Sequence, residues 1–358
     1  MRWVGRIAIG LLVVVVLLAA TVWFTTFHPD DVQAEDVVCA DDAPTLQPGQ
    51  DVTILSWNVQ YMAGKDYVFF YDLLDESGPD ERPSPEAITA TFEEVARVIG
   101  EVDPDVILLQ EVDDGAARTD GEDQLARLLD MVSPDYACHA SAFYWKAAWV
   151  PHPRILGSVG MKLSTVSRYR IEDATRYALP IIPADPVTEQ FGLKRAILEA
   201  SLPVEGGESL LTYNTHFDAF AQGTDTMQRQ VAQASERLAF VTAQQIPWVF
   251  GGDLNLLPPG PQYGDLGSDE QAYYLPDSEL AVLTDVYPVV PSLEEANGPE
   301  RASWYTHFPN APTIDGPDRT IDFVFLSPLL GLGDHQVRQA DTLDISDHLP
   351  VILDVTLP

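Results

Sequence analysis

The stretch Val106-Ile107-Leu108-Leu109-Gln110-Glu111 consists of four apolar residues followed directly by two polar ones. A short apolar run with no polar alternation is typical of a strand that is buried on both faces. The polar residues then stand at the carboxyl end of that strand. The stretch therefore predicts a buried strand that ends at Glu111.

Polar residues recur next to the other apolar segments. They follow, precede or lie within such segments at Asn58, His216, Asp253, Asn255, Asp322, Asp347 and His348. Any one of them alone is more typical of a strand cap or a structural residue than of a catalytic one. Asp322 is different, because it lies within the apolar segment Ile321–Leu326 and a buried carboxylate needs a partner.

Strand-like and helix-like segments alternate from Asp51 to the end of the chain, which predicts an α/β domain. The predicted strands are Val52–Trp57, Val106–Leu109, Val159–Leu163, Ile197–Leu202, Leu210–Thr215, Trp248–Gly251, Ile321–Leu326 and Val351–Thr356. The predicted helices are Pro85–Ile99, capped by Ser84 and ended by Gly100, Gln124–Met131 and Thr226–Gln244. Two long loop-rich insertions, Tyr61–Pro83 and Leu257–Pro299, are of the length usually found in functional or disordered loops.

Six segments resemble, in order, the motifs of the endonuclease/exonuclease/phosphatase superfamily. They are Ser56-Trp57-Asn58, Leu109-Gln110-Glu111-Val112, Asn214-Thr215-His216-Phe217-Asp218, Gly252-Asp253-Leu254-Asn255, Ile321-Asp322-Phe323-Val324 and Ser346-Asp347-His348-Leu349-Pro350. The resemblance covers about residues 51–358. It implies a four-layer α/β/β/α sandwich of two packed, mixed β-sheets and a metal-dependent phosphoesterase activity.

The resemblance implies a metal site made of Glu111, Asn58 and Asp347, with Glu111 as the principal ligand. The predicted site offers carboxylate oxygens and no thiols, and hard divalent cations prefer oxygen ligands. We therefore expect Mg²⁺, with Mn²⁺ or Ca²⁺ as alternatives.

The resemblance also implies roles in catalysis. Asp253 is the implied residue that orients or deprotonates the attacking water, and Asn255 beside it contacts phosphate or metal. Asp322 is implied to orient His348, so we expect a hydrogen bond between the two. His348 and His216 are implied to contact the phosphoryl oxygens or to transfer protons. Lys194-Arg195 is a candidate phosphate contact or an ordinary charged edge.

The amino terminus predicts a transmembrane helix. Arg2 and Arg6 precede an apolar run from Ile7 to Phe24, which is near the minimum length to cross a bilayer. We expect residues 1–28 to be an uncleaved anchor with Trp23 and Phe27 at the interface, and the rest of the chain outside the cytoplasm. A cleaved signal peptide, which would release a secreted protein, is the alternative.

Residues 29–50 are acidic and contain prolines, which is typical of a linker between the anchor and a catalytic domain over residues 51–358. Cys39 lies in that segment, and Cys138 is the other cysteine of the chain. Export favours a disulfide between them, while two free thiols are the alternative.

The formal net charge is −35, with 20 Lys and Arg against 55 Asp and Glu. Such a chain repels polyanions, so the charge disfavours a nucleic-acid substrate. The expected substrate is a lipid headgroup or another small phosphodiester, and the aromatic residues Tyr61, Tyr67, Phe69, Phe70 and Tyr71 either meet a lipid surface or pack over the domain. A membrane-tethered or secreted nuclease is the alternative, followed by a non-catalytic binding module. No protein partner is predicted.

Overall fold

Two β-sheets lie face to face in the computed structural model, which describes residues 2–73 and 75–358. Within these residues each sheet has seven strands. The first sheet has the order β1-β7-β8-β9-β10-β12-β11, and the second has the order β13-β14-β3-β4-β6-β5-β2. The strands are β1 (Val32–Glu35), β2 (Val37–Cys39), β3 (Asp51–Asn58), β4 (Val106–Asp113), β5 (Cys138–Ala147), β6 (Val159–Ser167), β7 (Asp173–Ala178), β8 (Ala196–Leu202), β9 (Leu210–His216), β10 (Trp248–Asp253), β11 (Val289–Val290), β12 (Asp322–Leu326), β13 (Gly331–Val337) and β14 (Val351–Thr356).

Both sheets are mixed, and each has a parallel pair at its centre. In one sheet β3 runs parallel to β4, and in the other β9 runs parallel to β10. The carboxyl ends of parallel neighbours meet at one edge of a sheet. The polar residues that follow these strands are therefore brought together.

Two of the helices cover the outer faces of the two sheets. The helices are α1 (Arg2–Thr25), α2 (Pro85–Val102), α3 (Gln124–Leu129), α4 (Thr188–Phe191), α5 (Thr226–Ala243), α6 (Gln262–Asp265), α7 (Ser268–Gln271), α8 (Ala281–Thr284) and α9 (Leu293–Asn297), with 3₁₀ turns at Gln60–Met62, Ala117–Thr119 and Arg301–Trp304. The apolar stripe of α2 packs on β3 and β4, and that of α5 packs on β9, β10 and β12. A third apolar cluster fills the space between the sheets. The predicted four-layer α/β/β/α sandwich is confirmed.

Helix α2 begins as predicted and ends later than predicted. Ser84 accepts a hydrogen bond from the backbone of Ala87, and Pro85 is the first helical residue. The helix passes Gly100 and continues to Val102, where Asp103 takes the left-handed conformation and its backbone donates to the oxygen of Ile99. An aspartate tolerates that conformation, so the glycine was not needed for the cap.

Residues 29–50 contain β1 and β2, although their composition is typical of a linker. Strand β1 pairs with β7 of one sheet, and β2 pairs with β5 of the other. These short strands add to sheet edges, where pairing satisfies backbone groups without burying large side chains. Such a contribution leaves little trace in composition.

The aromatic insertion is folded back onto the domain. Tyr61 and Phe69 are buried in a small cluster of their own, with Tyr67 and Tyr71 packed against it. Phe70 is 6 % exposed. The structure thus supports packing of these aromatic residues over contact with a lipid surface.

Helix α1 provides the one candidate membrane span among the residues that the structure describes. The stretch Trp3–Thr25 is 23 residues long and contains Arg6 near its start, and none of its most apolar 18-residue window is buried in the protein. A signal sequence has the same properties. Trp23 is 57 % exposed and its ring stacks on that of His28 with centroids 3.8 Å apart, whereas the ring of Phe27 packs edge-on against Phe143 of β5 with centroids 6.4 Å apart.

The predicted disulfide between Cys39 and Cys138 is present. The two cysteines are direct partners across β2 and β5. The bridge therefore ties the segment after α1 to the edge of a sheet.

We expect Cys39→Ser to lower the free energy of unfolding by up to about 4–5 kcal/mol, because the bridge closes a loop with a sequence separation of 99 residues. Urea unfolding of the full chain in detergent, followed by tryptophan fluorescence, measures this difference. Cys138→Ser should cause the same loss, and the double variant should cause no further loss. Identical midpoints for oxidised and reduced wild-type protein would contradict the expectation.

Candidate active site

A cavity of about 850 Å³ lies where the carboxyl ends of the central strands meet. Its lining includes six of the predicted site residues, namely Glu111, His216, Asp253, Asn255, Asp347 and His348. The other two, Asn58 and Asp322, lie directly behind them and hydrogen-bond to members of that set. All eight predicted site residues are therefore brought together.

Glu111 is directed into the cavity by a break in β4. The register between β4 and β6 shifts between Leu109 and Val112, which is a β-bulge, and Glu111 has a φ of 57°. A left-handed backbone at a glutamate costs on the order of 1 kcal/mol. The surrounding pairing of Leu109 and Val112 with β6 holds this conformation in place.

Gly252 allows Asp253 to reach its position. Gly252 has a φ of 144°, and a Cβ added there would lie 1.9 Å from the carbonyl oxygen of Thr215. Only a glycine lets β10 approach β9 this closely at the site. Beyond the strand, the backbone of Asn255 donates to Oδ1 of Asp253 at 3.0 Å, and its Nδ2 donates to the oxygen of Phe217 at 3.2 Å.

The amide of Asn58 connects the two sheets. Its Nδ2 donates to Glu111 Oε1 and to Asp253 Oδ2, both at 3.1 Å. Its Oδ1 accepts from the backbone of Gln60 at 3.0 Å. Glu111 belongs to one sheet and Asp253 to the other, so Asn58 fixes the spacing of two carboxylates across the sandwich.

The predicted hydrogen bond between Asp322 and His348 is confirmed. Nδ1 of His348 lies 2.9 Å from Asp322 Oδ2, and Nε2 lies 3.5 Å from Asp253 Oδ2. The indole of Trp57 donates to the backbone oxygen of His348 at 2.9 Å. Burial by itself lowers the pKa of His348, but Asp322, Asp253 and Asp347 together raise it well above its usual value. This imidazole therefore carries a proton in the protein without bound metal.

The surroundings of His216 lower its pKa, whereas those of His348 raise the pKa of that residue. Nε2 of His216 lies 3.2 Å from Asp253 Oδ2, and its ring packs edge-on against buried Tyr144 with centroids 5.6 Å apart. Burial, Arg195 and His348 lower its pKa well below the usual value. A protonated histidine, His348, and a neutral histidine, His216, therefore each place a ring nitrogen within 3.5 Å of Asp253 Oδ2.

The carboxylates of the site repel one another. Burial and the charge of Asp347 raise the pKa of Glu111, and burial also raises the pKa of Asp347. Burial, together with Asp322 and Glu111, raises the pKa of Asp253 to about 7. A divalent cation would relieve this repulsion, and oxygen donors are the ligands that Mg²⁺ prefers. The donor set fits such an ion, with Glu111 and Asp347 as the residues that would hold it.

His307 and Asp72 also line the cavity, although the sequence patterns did not indicate them. The rings of His307 and His348 have centroids 4.6 Å apart, and His307 Nδ1 is buried without a hydrogen-bond partner in the described part of the chain. Burial and Asp347 raise the pKa of Asp72 to about 8. Both residues come from loops, where no periodic pattern marks them.

The side chains of Lys194 and Arg195 have different surroundings. Arg195 lines the cavity and is 4 % exposed. Its Nε donates to Asp218 Oδ1 at 3.1 Å, while its Nη1 is buried without a partner among the described residues. Lys194 donates instead to the backbone oxygen of Glu189 at 2.6 Å. Arg195 thus remains a candidate phosphate contact.

The sequence profile described as the Endonuclease/Exonuclease/phosphatase family matches residues 55–348. No curated protein matches the chain. Among solved structures, an endonuclease/exonuclease/phosphatase from Beutenbergia cavernae is 21 % identical, with a TM-score of 0.53 and coverage of 86 % of this chain and 72 % of that one. An endonuclease/exonuclease/phosphatase family protein from Leptotrichia buccalis is 14 % identical, with a TM-score of 0.53 and coverage of 85 % and 99 %. The human Nocturnin catalytic domain with bound sulfate anion is 16 % identical, with a TM-score of 0.50 and coverage of 90 % and 98 %.

We expect Asp322→Asn to lower the pKa of His348, because the substitution removes the carboxylate that most opposes the effect of burial. NMR titration of the imidazole signals in metal-free protein measures the shift. In the wild type, His348 should lose its proton only well above pH 6.5, its ordinary pKa. The pKa of His335, which pairs with Glu295 at 2.9 Å, should not change and is the internal control. An unaltered His348 titration in the variant would contradict this assignment.

Proposed function

Because the chain belongs to the endonuclease/exonuclease/phosphatase family, we propose that it is a Mg²⁺-dependent phosphodiesterase, held at a membrane by its amino-terminal helix, with its catalytic domain outside the cytoplasm. Mn²⁺ or Ca²⁺ are alternative metals. The substrate is a lipid headgroup or another small phosphodiester.

One observation carries the proposal. A protonated His348 lies 3.5 Å from Asp253, whose pKa of about 7 lets it gain or lose a proton near neutral pH. Hydrolysis of a phosphodiester needs proton transfer from the attacking water and to the departing oxygen, and groups with pKa values near the working pH transfer protons best. The site therefore holds an acid and a base next to each other.

Asp253 is suited to orient the attacking water and accept its proton. His348 is suited to donate a hydrogen bond or a proton to a phosphoryl oxygen, since Asp322 holds its Nδ1 and leaves Nε2 toward the cavity. His216 is neutral and contacts Asp253, so it limits where that carboxylate can point. A divalent cation held by Glu111 and Asp347, with Asn58 behind them, would supply positive charge against the phosphoryl oxygens.

The cavity wall favours an amphiphilic substrate. Away from the carboxylates the lining is mostly apolar, and it includes Phe70, Trp145, Ile181, Ile182, Phe191, Leu193 and Phe220. Such a wall can bind hydrocarbon beside the reacting phosphate. A nucleic acid would instead need a basic track along its backbone, and the formal net charge is −35.

We expect Glu111→Gln to abolish hydrolysis and to weaken Mg²⁺ binding, because the amide keeps the shape of the side chain and removes its charge. Activity at saturating Mg²⁺ and calorimetric Mg²⁺ binding are the two measurements. Glu76→Gln is the matched control, since Glu76 is an exposed glutamate at the same cavity and should leave both quantities unchanged. Near wild-type turnover of the Glu111 variant would exclude it as a metal ligand.

A panel of substrates separates the proposed function from its alternatives. With Mg²⁺ present, we expect hydrolysis of sphingomyelin or phosphatidylcholine in mixed micelles, and much weaker cleavage of single- and double-stranded DNA. The acidic surface is the reason for the difference. DNA cleavage that exceeds lipid hydrolysis would establish the tethered nuclease instead. His348→Ala should reduce turnover of the preferred substrate by at least ~10²-fold, and a chain that hydrolyses none of the substrates would be a binding module.

A further inference from the structure

The candidate membrane helix joins the catalytic domain without a free spacer. Thr25 is the last residue of α1, and its carbonyl oxygen accepts a hydrogen bond from the backbone of Ala148 at 2.8 Å. The next residue, Thr26, forms an antiparallel bridge with Ala147, the last residue of β5. Residues that follow β5 therefore lie within a few ångströms of the end of the helix.

The residues that follow β5 also form part of the cavity wall. Residues 148–158 connect β5 to β6, and within this loop Val150, His152 and Ile155 line the cavity. The chain after the helix continues to Asp31, whose oxygen accepts from the backbone of Ala178 at 2.8 Å. Ala178 precedes residues 179–191, the second segment of the cavity wall.

The outer side of this wall is apolar. Trp149 is 49 % exposed and Leu156 is 60 % exposed, and both belong to the loop of residues 148–158. Neither residue lines the cavity. Exposed large apolar side chains beside a membrane helix are typical of an interfacial contact, and tryptophan is enriched at that depth.

The charge of the loop also suits a lipid surface. The chain has 55 acidic residues, yet none lies between Asp135 and Glu172. The end of β5 instead carries the exposed Lys146, whereas Arg154 of the loop pairs with Glu81 at 3.2 Å. The second wall segment contains Asp185 and Glu189, so the loop of residues 148–158 is the better candidate for contact with phospholipid headgroups.

We propose that residues 148–158 are a second membrane contact, which inserts Trp149 and Leu156 into the headgroup region beside α1. The contact seats the wall of the catalytic cavity on the bilayer, so that the substrate is a phosphodiester lipid of the same membrane rather than a solute. This inference rests on the proposed anchor and phosphodiesterase activity, and it adds the surface through which the substrate is reached.

Quenching by brominated lipid tests the contact independently of any activity. The full chain is reconstituted in vesicles of phosphatidylcholine with or without bromine on the acyl chains, as wild type and as Trp149→Phe. The emission that Trp149 contributes, taken as the difference between the two proteins, should be strongly reduced in the brominated vesicles. Trp304→Phe is the control, because Trp304 packs near His335 of β13 at the far edge of its sheet and its emission should not depend on bromine. Equal emission from Trp149 in both kinds of vesicle overturns the proposal.

Activity of the same reconstituted protein tests the consequence for substrate access. The double variant Trp149→Glu/Leu156→Glu should lower the hydrolysis of vesicle phosphatidylcholine by about tenfold or more, because charged side chains oppose insertion of the loop. Hydrolysis of soluble bis(p-nitrophenyl) phosphate should stay at the wild-type rate. Val286→Glu, at the opposite sheet edge beside β11, should change neither rate.

Undiminished hydrolysis of vesicle lipid by the double variant, or an equal loss on both substrates, overturns the proposed contact. A wild-type protein that hydrolyses neither substrate contradicts the phosphodiesterase function alone, and lipid quenching then decides the membrane contact by itself.

Discussion

The hydrogen bond between Gln110 and Asn214 is the constraint that places the rest of the site. Nε2 of Gln110 donates to Asn214 Oδ1 at 2.7 Å, and Nδ2 of Asn214 donates to the backbone oxygens of Leu109 and Ser164 at 2.9 and 3.0 Å. Both side chains are fully buried between the sheets. An apolar interface tolerates sliding, whereas buried amides must keep their partners. These hydrogen bonds therefore fix one sheet against the other close to the site. Gln110 directly precedes Glu111, and Asn214 lies two residues before His216.

Charge is concentrated where this fixed interface ends. Carboxylates with raised pKa values and an imidazole with a raised pKa lie together in the cavity, and each would be costly to bury alone. Attraction between the imidazole and the carboxylates offsets only part of the cost of burying these charges. The site is thus built to bind positive charge and to exchange protons, at some cost to the stability of the metal-free protein.

The sequence was most informative where strands and motifs coincide. A carboxylate within the apolar segment Ile321–Leu326 required a partner, and the family resemblance implied that this partner is His348. The sheet sandwich followed from the same motifs. His307 and Asp72 could not be predicted in this way, because loop residues reach a site through tertiary contacts that leave no periodic signal. Strands β1 and β2 escaped prediction for a related reason, since pairing at an edge depends on backbone groups that every residue has.

The pairing of β1 and β2 has a consequence for biosynthesis. Both strands precede their partners β7 and β5 by about a hundred residues or more, so they leave the ribosome long before those partners exist. At ≈ 5–20 residues/s the delay lasts roughly 5–30 s. During that interval β1 and β2 have no partner strands to join. The sheet edges formed by β1 and β2 therefore assemble only after the middle of the chain has been synthesised, and the disulfide can form only once β5 has brought Cys138 opposite Cys39.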